Sequence, residues 1–99
     1  MAHRVVLSPE AEQDARSAFL WYLGRSPAAA ERFEDELKRA LESLGEEPEI
    51  GPMLDDGVRR LLLPHFPCGV LYAIEGNDAV VLAVMHLRRS PEVWRKRRA

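Results

Sequence analysis

The chain has 99 residues, 46% of them apolar, and a formal net charge of −2. That is enough for one domain with one core and too little for two, so residues 1–99 are read as a single domain. The longest unbroken apolar run, Ala79 to Met85, is far shorter than the roughly 20 residues of a membrane-spanning helix, and the start "MAHRVV" lacks the layout of a signal peptide. A soluble, cytoplasmic protein is the expectation.

"HRVVLS" (3–8) is a β-branched run that reads as a strand. It stops at Ser8-Pro9-Glu10, where a serine N-cap followed by proline in the first helical position predicts a helix start. Ala11, Ala15, Ala18, Phe19 and Tyr22 recur at helical spacing, and Gly24 marks the end of that helix. Ser26-Pro27 repeats the cap. Ala30, Phe33, Leu37, Ala40, Leu41 and Leu44 then form one apolar stripe, with charged residues around the rest of the second helix. So short a connection makes the two helices an antiparallel pair.

"EEPEIGPMLDDG" (46–57), rich in proline, glycine and acid, reads as a loop leading to a sheet. Three strand-like runs follow: "VRRLLLP" (58–64), "GVLYAIE" (69–75) and "AVVLAVMHL" (79–87), the last two joined by a tight turn at Gly76-Asn77-Asp78. His65, between prolines in "PHFP", reads as a turn residue. A third Ser-Pro, in the Ser-Pro-Glu at 90–92, caps a short terminal helix carrying Trp94 and the basic "RKRR". The fold class is therefore α+β, in the order β-α-α-β-β-β plus a short C-terminal helix or tail. A helix hairpin should cover one face of a small, mainly antiparallel sheet and leave the other partly open.

Charge is polarised along the chain. Residues 1–57 hold six Lys/Arg against thirteen Asp/Glu, or −7, and residues 58–99 hold eight against three, or +5. Two halves of opposite sign suggest surfaces that meet different partners, although a charged run also serves simply as a solvated face.

Period-two alternation puts Val80, Leu82, Val84, His86 and Arg88 on one face of the last strand and Val81, Ala83, Met85, Leu87 and Arg89 on the other. It separates Arg59 from Arg60 in the same way, so one arginine of each pair can lie over the open face and bind phosphate or carboxylate in a fork. His86 has the chemistry of a general acid or base and equally that of a hydrogen-bonded strand-end residue. Trp94 and Tyr72 suit either base stacking or the core. Cys68 has no second cysteine, and His3, His65 and His86 show no ligand spacing, so neither a disulfide, a metal nor another cofactor is expected.

Taken in order, "VVLSPEAEQDA", "SPAAAERFEDELKRALESL" and the run from "EEPEIGPMLDDGVRRLLLP" to "HLRRSPEVW" resemble the RelE/ParE superfamily of toxins from bacterial type II toxin–antitoxin modules, nearest its ParE-type branch. The resemblance spans nearly the whole chain. It implies a growth-inhibiting toxin of the plasmid-stabilisation kind, neutralised by a small DNA-binding antitoxin whose acidic, amphipathic C-terminal segment wraps around it. ParE-type members poison DNA gyrase, which makes gyrase the expected target. Ribonuclease members instead cut messenger RNA in the ribosome without metal, and this is the alternative. The match to their pattern is partial: Arg59 or Arg60, Arg88 and His86 fall near the catalytic positions, but Lys38 and Lys96 are the only lysines, and Trp94 stands where a tyrosine is wanted. Arg59, Arg60, His86, Arg88, Arg89 and Trp94 are the residues the resemblance offers for contact with target or antitoxin.

Overall fold

A computed structural model describes residues 3–98. Its elements are β1 (Arg4–Leu7), α1 (Pro9–Leu23), α2 (Pro27–Glu46), β2 (Met53–Asp55), β3 (Val58–Leu62), β4 (Cys68–Glu75), β5 (Asp78–His86) and α3 (Glu92–Arg98). The strands form one sheet in the order β1-β5-β4-β3-β2, parallel between β1 and β5 and antiparallel elsewhere. The α+β architecture read from the sequence is thus present. Each Ser-Pro start works as the residues dictate: Ser8 Oγ accepts from Ala11 N–H at 3.1 Å, and Ser26 Oγ from Ala29 N–H at 3.2 Å.

Three features differ from the sequence reading. The segment 46–57 is not all loop, because β2 pairs with β3 across a hairpin in which Asp56 and Gly57 take φ of 50° and 76°. Asp-Gly supplies the two left-handed residues that such a turn requires.

The alternation in β5 also breaks. Leu71 faces Ala83 while Tyr72 faces Val81, which leaves Leu82 as the extra residue of a bulge. Val81 and Val84 therefore pack toward the helix pair, whereas Val80, Leu82, Ala83 and Met85 point the other way. Strict parity, which groups Val80 and Leu82 with Val84, fails from this point onward.

The third difference concerns the second face of the sheet. The core on the helix-pair side joins Ala11, Phe33, Leu37, Ala40 and Leu44 to Val70, Tyr72, Ala79, Val81 and Val84. On the opposite side Val58, Leu71, Leu82, Ala83 and Met85 form a second cluster closed by Trp94, which is only 4% exposed. The helix pair is not the only cover, since α3 lays its tryptophan across the face expected to be partly open. Burying an indole repays the ordering of so short a helix.

Candidate functional site

Bordering Trp94 is a cavity of about 360 Å³ whose wall includes Arg60, Gly69, His86, Arg89, Asp55 and Arg95. Arg60 reaches it because β3 alternation turns Val58, Arg60 and Leu62 to this side. Gly69 on β4 makes room for the Arg60 stem: a Cβ there would lie 2.9 Å from Arg60 Cγ and 3.1 Å from Cδ. Arg59 is committed elsewhere, as it donates to the carbonyl oxygens of Gly51 at 2.8 Å and Glu49 at 3.1 Å.

His86, the last residue of β5, accepts at Nδ1 from the Arg88 backbone N–H at 3.0 Å. In the neutral ring the proton therefore resides on Nε2, which leaves one donor free. The Arg88 side chain lines neither this cavity nor its neighbour, whereas Arg89 and His86 line both. The neighbour is a groove of about 620 Å³ between α1 and the edge of β5 beyond β1, walled by Asp14, Trp21, Tyr22 and Cys68. Burial pushes the Cys68 thiol up from its usual range, and the nearby Tyr22 hydroxyl offsets this only in part. A thiol held protonated is a packing group and not a nucleophile.

The basic tail is largely consumed within the fold. Arg95 meets Asp55 at 2.7 Å, Arg97 meets Asp14 at 2.6 Å and Arg98 meets Glu75 at 3.3 Å, so α3 is tied to β2, α1 and β4. Arg60, Arg88 and Arg89 take part in no ion pair among the described residues. Of the six sequence candidates, then, Arg60, His86, Arg89 and Trp94 converge on one cavity, Trp94 as its buried wall. Arg59 and Arg88 do not join them.

Sequence reasoning passed over two features. Trp21 is 53% exposed on α1, with the Arg25 guanidinium carbon 3.5 Å from its ring centroid; the signal was that Leu20, Trp21 and Leu23 fall off the apolar stripe of α1. Glu36, on the buried side of α2, accepts from the His65 backbone N–H at 3.0 Å and from His65 Nδ1 at 2.6 Å. No group of three or more His, Cys, Asp or Glu side chains among the described residues is placed to hold a metal ion. Among the described residues no helix is long and apolar enough to cross a membrane.

The five-stranded sheet with a helix hairpin on one face and a short C-terminal helix is the α+β fold of solved ParE and RelE relatives. The profile of the ParE toxin of type II toxin–antitoxin systems, parDE, matches residues 5–91, and the chain belongs to that family. Toxin RelE1 of Caulobacter vibrioides is 28% identical over 88 residues, 87% of this chain and 95% of that protein. The chromosomal ParDE system of P. aeruginosa aligns with a TM-score of 0.75 at 18% identity, covering 86% of this chain and 96% of that one. The RelBE2 toxin–antitoxin complex of Mycobacterium tuberculosis aligns with a TM-score of 0.61 at 20% identity, covering 87% and 99% respectively. At these identities the two structures speak for the fold.

Proposed function

We propose that this toxin arrests bacterial growth by binding DNA gyrase in the cytoplasm and that a cognate antitoxin neutralises it. The observation that carries the reading is the match of residues 5–91 to the ParE profile. The cavity geometry supports a binder over a nuclease. Cleaving RNA at a 2′-hydroxyl needs one group to take a proton and another to supply one. Here the cavity's carboxylate, Asp55, is engaged by Arg95, and the aromatic residue is a buried tryptophan with no acidic hydroxyl. Arg60 and Arg89 offer forked contacts to backbone phosphates or surface carboxylates, and His86 Nε2 adds one donor beside them.

Messenger RNA cleavage on the ribosome is the second reading. It is favoured by that same convergence of two unpaired arginines and a histidine. Purified toxin assayed against gyrase supercoiling, and in parallel against ribosome-bound messenger RNA, separates the two. Inhibited supercoiling or trapped cleaved DNA with intact RNA is expected. Untouched gyrase with ribosome-dependent cuts would reverse the assignment.

A further inference from the structure

Three leucines stay half exposed around the cavity beside Trp94. Leu54, Leu62 and Leu87 are 41%, 49% and 44% exposed, and each comes from a different part of the sheet. Leu54 lies in β2 between residues paired with β3, Leu62 ends β3 opposite Gly69, and the Leu87 N–H, just past β5, donates to the Pro67 carbonyl oxygen at 2.9 Å. Backbone pairing thus fixes all three. Leu54 and Leu87 line the cavity itself. Leu62 stands at its border, because the point that a Gly69 Cβ would occupy is 2.9 Å from Arg60 Cγ and 3.6 Å from Leu62 Cδ2. Large apolar side chains gathered around one concavity mark a contact surface.

The charge inside this ring is positive. Arg60 and Arg89 take part in no ion pair among the described residues, and Asp55, the carboxylate in the wall, is held by Arg95 at 2.7 Å. A nucleic-acid surface would back these two arginines with further free cations, since its affinity comes from neutralising several phosphates. Here the neighbours do otherwise. Arg95, Arg97 and Arg98 are spent on Asp55, Asp14 and Glu75, the Arg88 side chain lines no part of the cavity, and the border is leucine. A pair of arginines framed by apolar side chains is the arrangement of a protein–protein anchor, in which the apolar ring excludes water and so strengthens a charge-assisted bond at its centre.

We infer that the cavity beside Trp94 receives an aspartate or glutamate side chain of the target protein, bound by Arg60 and Arg89 and sealed from water by Leu54, Leu62 and Leu87. The inference rests on the gyrase reading above and deepens it: the toxin grips an acidic residue set among apolar neighbours on the enzyme, and not the DNA the enzyme carries. His86 Nε2 supplies a third donor at the same wall. Gly69 belongs to the device as well, because any side chain there would displace the Arg60 stem.

The test titrates the full chain with purified gyrase holoenzyme, without DNA and with duplex DNA, and with the duplex alone. Affinity for gyrase should agree within about threefold with and without DNA, and the duplex alone should not compete. Leu62→Gln and Leu87→Gln, checked for folding by circular dichroism, should each weaken gyrase binding about fivefold and together about 25-fold, with toxicity falling in parallel. Leu20→Gln, an equally exposed leucine on α1, should stay within about twofold of the parent. Folded Leu62 and Leu87 variants that bind gyrase as the parent does would overturn the inference and leave gyrase as the target. So would binding that requires DNA and tightens in Leu62→Lys and Leu87→Lys, which would give the cavity to a backbone phosphate. A parent chain that binds gyrase in neither form would overturn both readings.

Discussion

Arg97 donates two hydrogen bonds to Asp14, at 2.6 and 3.2 Å, and so joins the last helix to the first across the free edge of β5. The same guanidinium reaches the Leu82 carbonyl oxygen at 3.1 Å, and Asp14 accepts the Val84 N–H at 3.0 Å. Because β1 pairs with β5 only as far as Val81, these contacts satisfy the strand backbone that β1 leaves uncovered. The pair is mostly buried, so removing one partner strands the other charge. Arg97→Ala should cost about 2 kcal/mol, and Asp14→Ala about 3 kcal/mol because it also orphans the Val84 N–H. The double variant should cost less than the sum, and denaturation of all four proteins measures the difference. Additive losses would mean that the two residues act separately.

Glu36 gives the protein an acid-sensitive anchor. Burial raises its carboxyl pKa, but the backbone N–H and ring of His65 outweigh this and hold it below the ordinary carboxylate range. A carboxylate lowered in the folded state stabilises fully above its unfolded pKa of about 4.3, and the contribution fades as pH falls through the folded value. Glu36→Gln should therefore be clearly less stable than the parent at neutral pH. The gap should close as pH drops below the ordinary carboxylate range, followed by urea unfolding across that span. An equal gap throughout would show that Glu36 contributes through shape alone.

The order of elements was legible because each start carries its own signal: Ser8-Pro9, Ser26-Pro27 and Ser90-Pro91 mark three helices. The strand β2 was missed although Asp56-Gly57 is a hairpin turn in plain sight, since the acids and prolines around it outweighed two residues. The bulge at Leu82 leaves no local mark. It arises from pairing between β4 and β5, which one strand's alternation cannot report. The site was legible as composition and not as geometry. Arg59 and Arg60 are adjacent and chemically identical; alternation in β3 turns Arg60 toward the cavity, and the loop carbonyls of Glu49 and Gly51 hold Arg59 away from it. Similarly, the free charge implied by "RKRR" vanished because Asp14, Asp55 and Glu75, remote in sequence, meet it in space.

Tyr72, in the core on the helix-pair side of β4, holds the loop before β2. Its buried hydroxyl accepts from the Gly51 N–H at 2.9 Å and donates to the Pro48 carbonyl oxygen at 2.7 Å. Tyr72→Phe should cost about 1–3 kcal/mol by leaving both groups unpaired. Gly51→Ala tests the same contact from the other side, since a Cβ there would lie 2.9 Å from Tyr72 Oη and 3.0 Å from the Arg60 carbonyl. That clash involves backbone, so we expect lost stability together with reduced toxicity as Arg60 shifts. Thermal melts and a growth assay on both variants check this, and a Gly51→Ala protein as stable as the parent would contradict it.

The last prediction separates the four arginines near the sheet end. Arg60→Ala and Arg89→Ala remove side chains that no carboxylate holds, so stability should change by no more than about 0.5 kcal/mol while toxicity falls sharply. Arg59→Ala should behave differently, losing about 1–2 kcal/mol because two loop carbonyls lose their donor. Any fall in its toxicity should then track the unfolded fraction, as it should for Leu82→Ala, a buried truncation expected to cost roughly 2–5 kcal/mol. Arg88→Ala should be mild on both counts, since only its backbone N–H meets His86. His86→Gln decides the mechanism. An acid–base residue would lose on the order of 100-fold or more in RNA cleavage, whereas in a gyrase binder the change removes a single donor and one turn contact. Growth inhibition, gyrase supercoiling and circular dichroism, measured together on each variant, read all of these. If Arg60→Ala and Arg89→Ala stay folded and fully toxic, the cavity beside Trp94 is not the surface that meets the target.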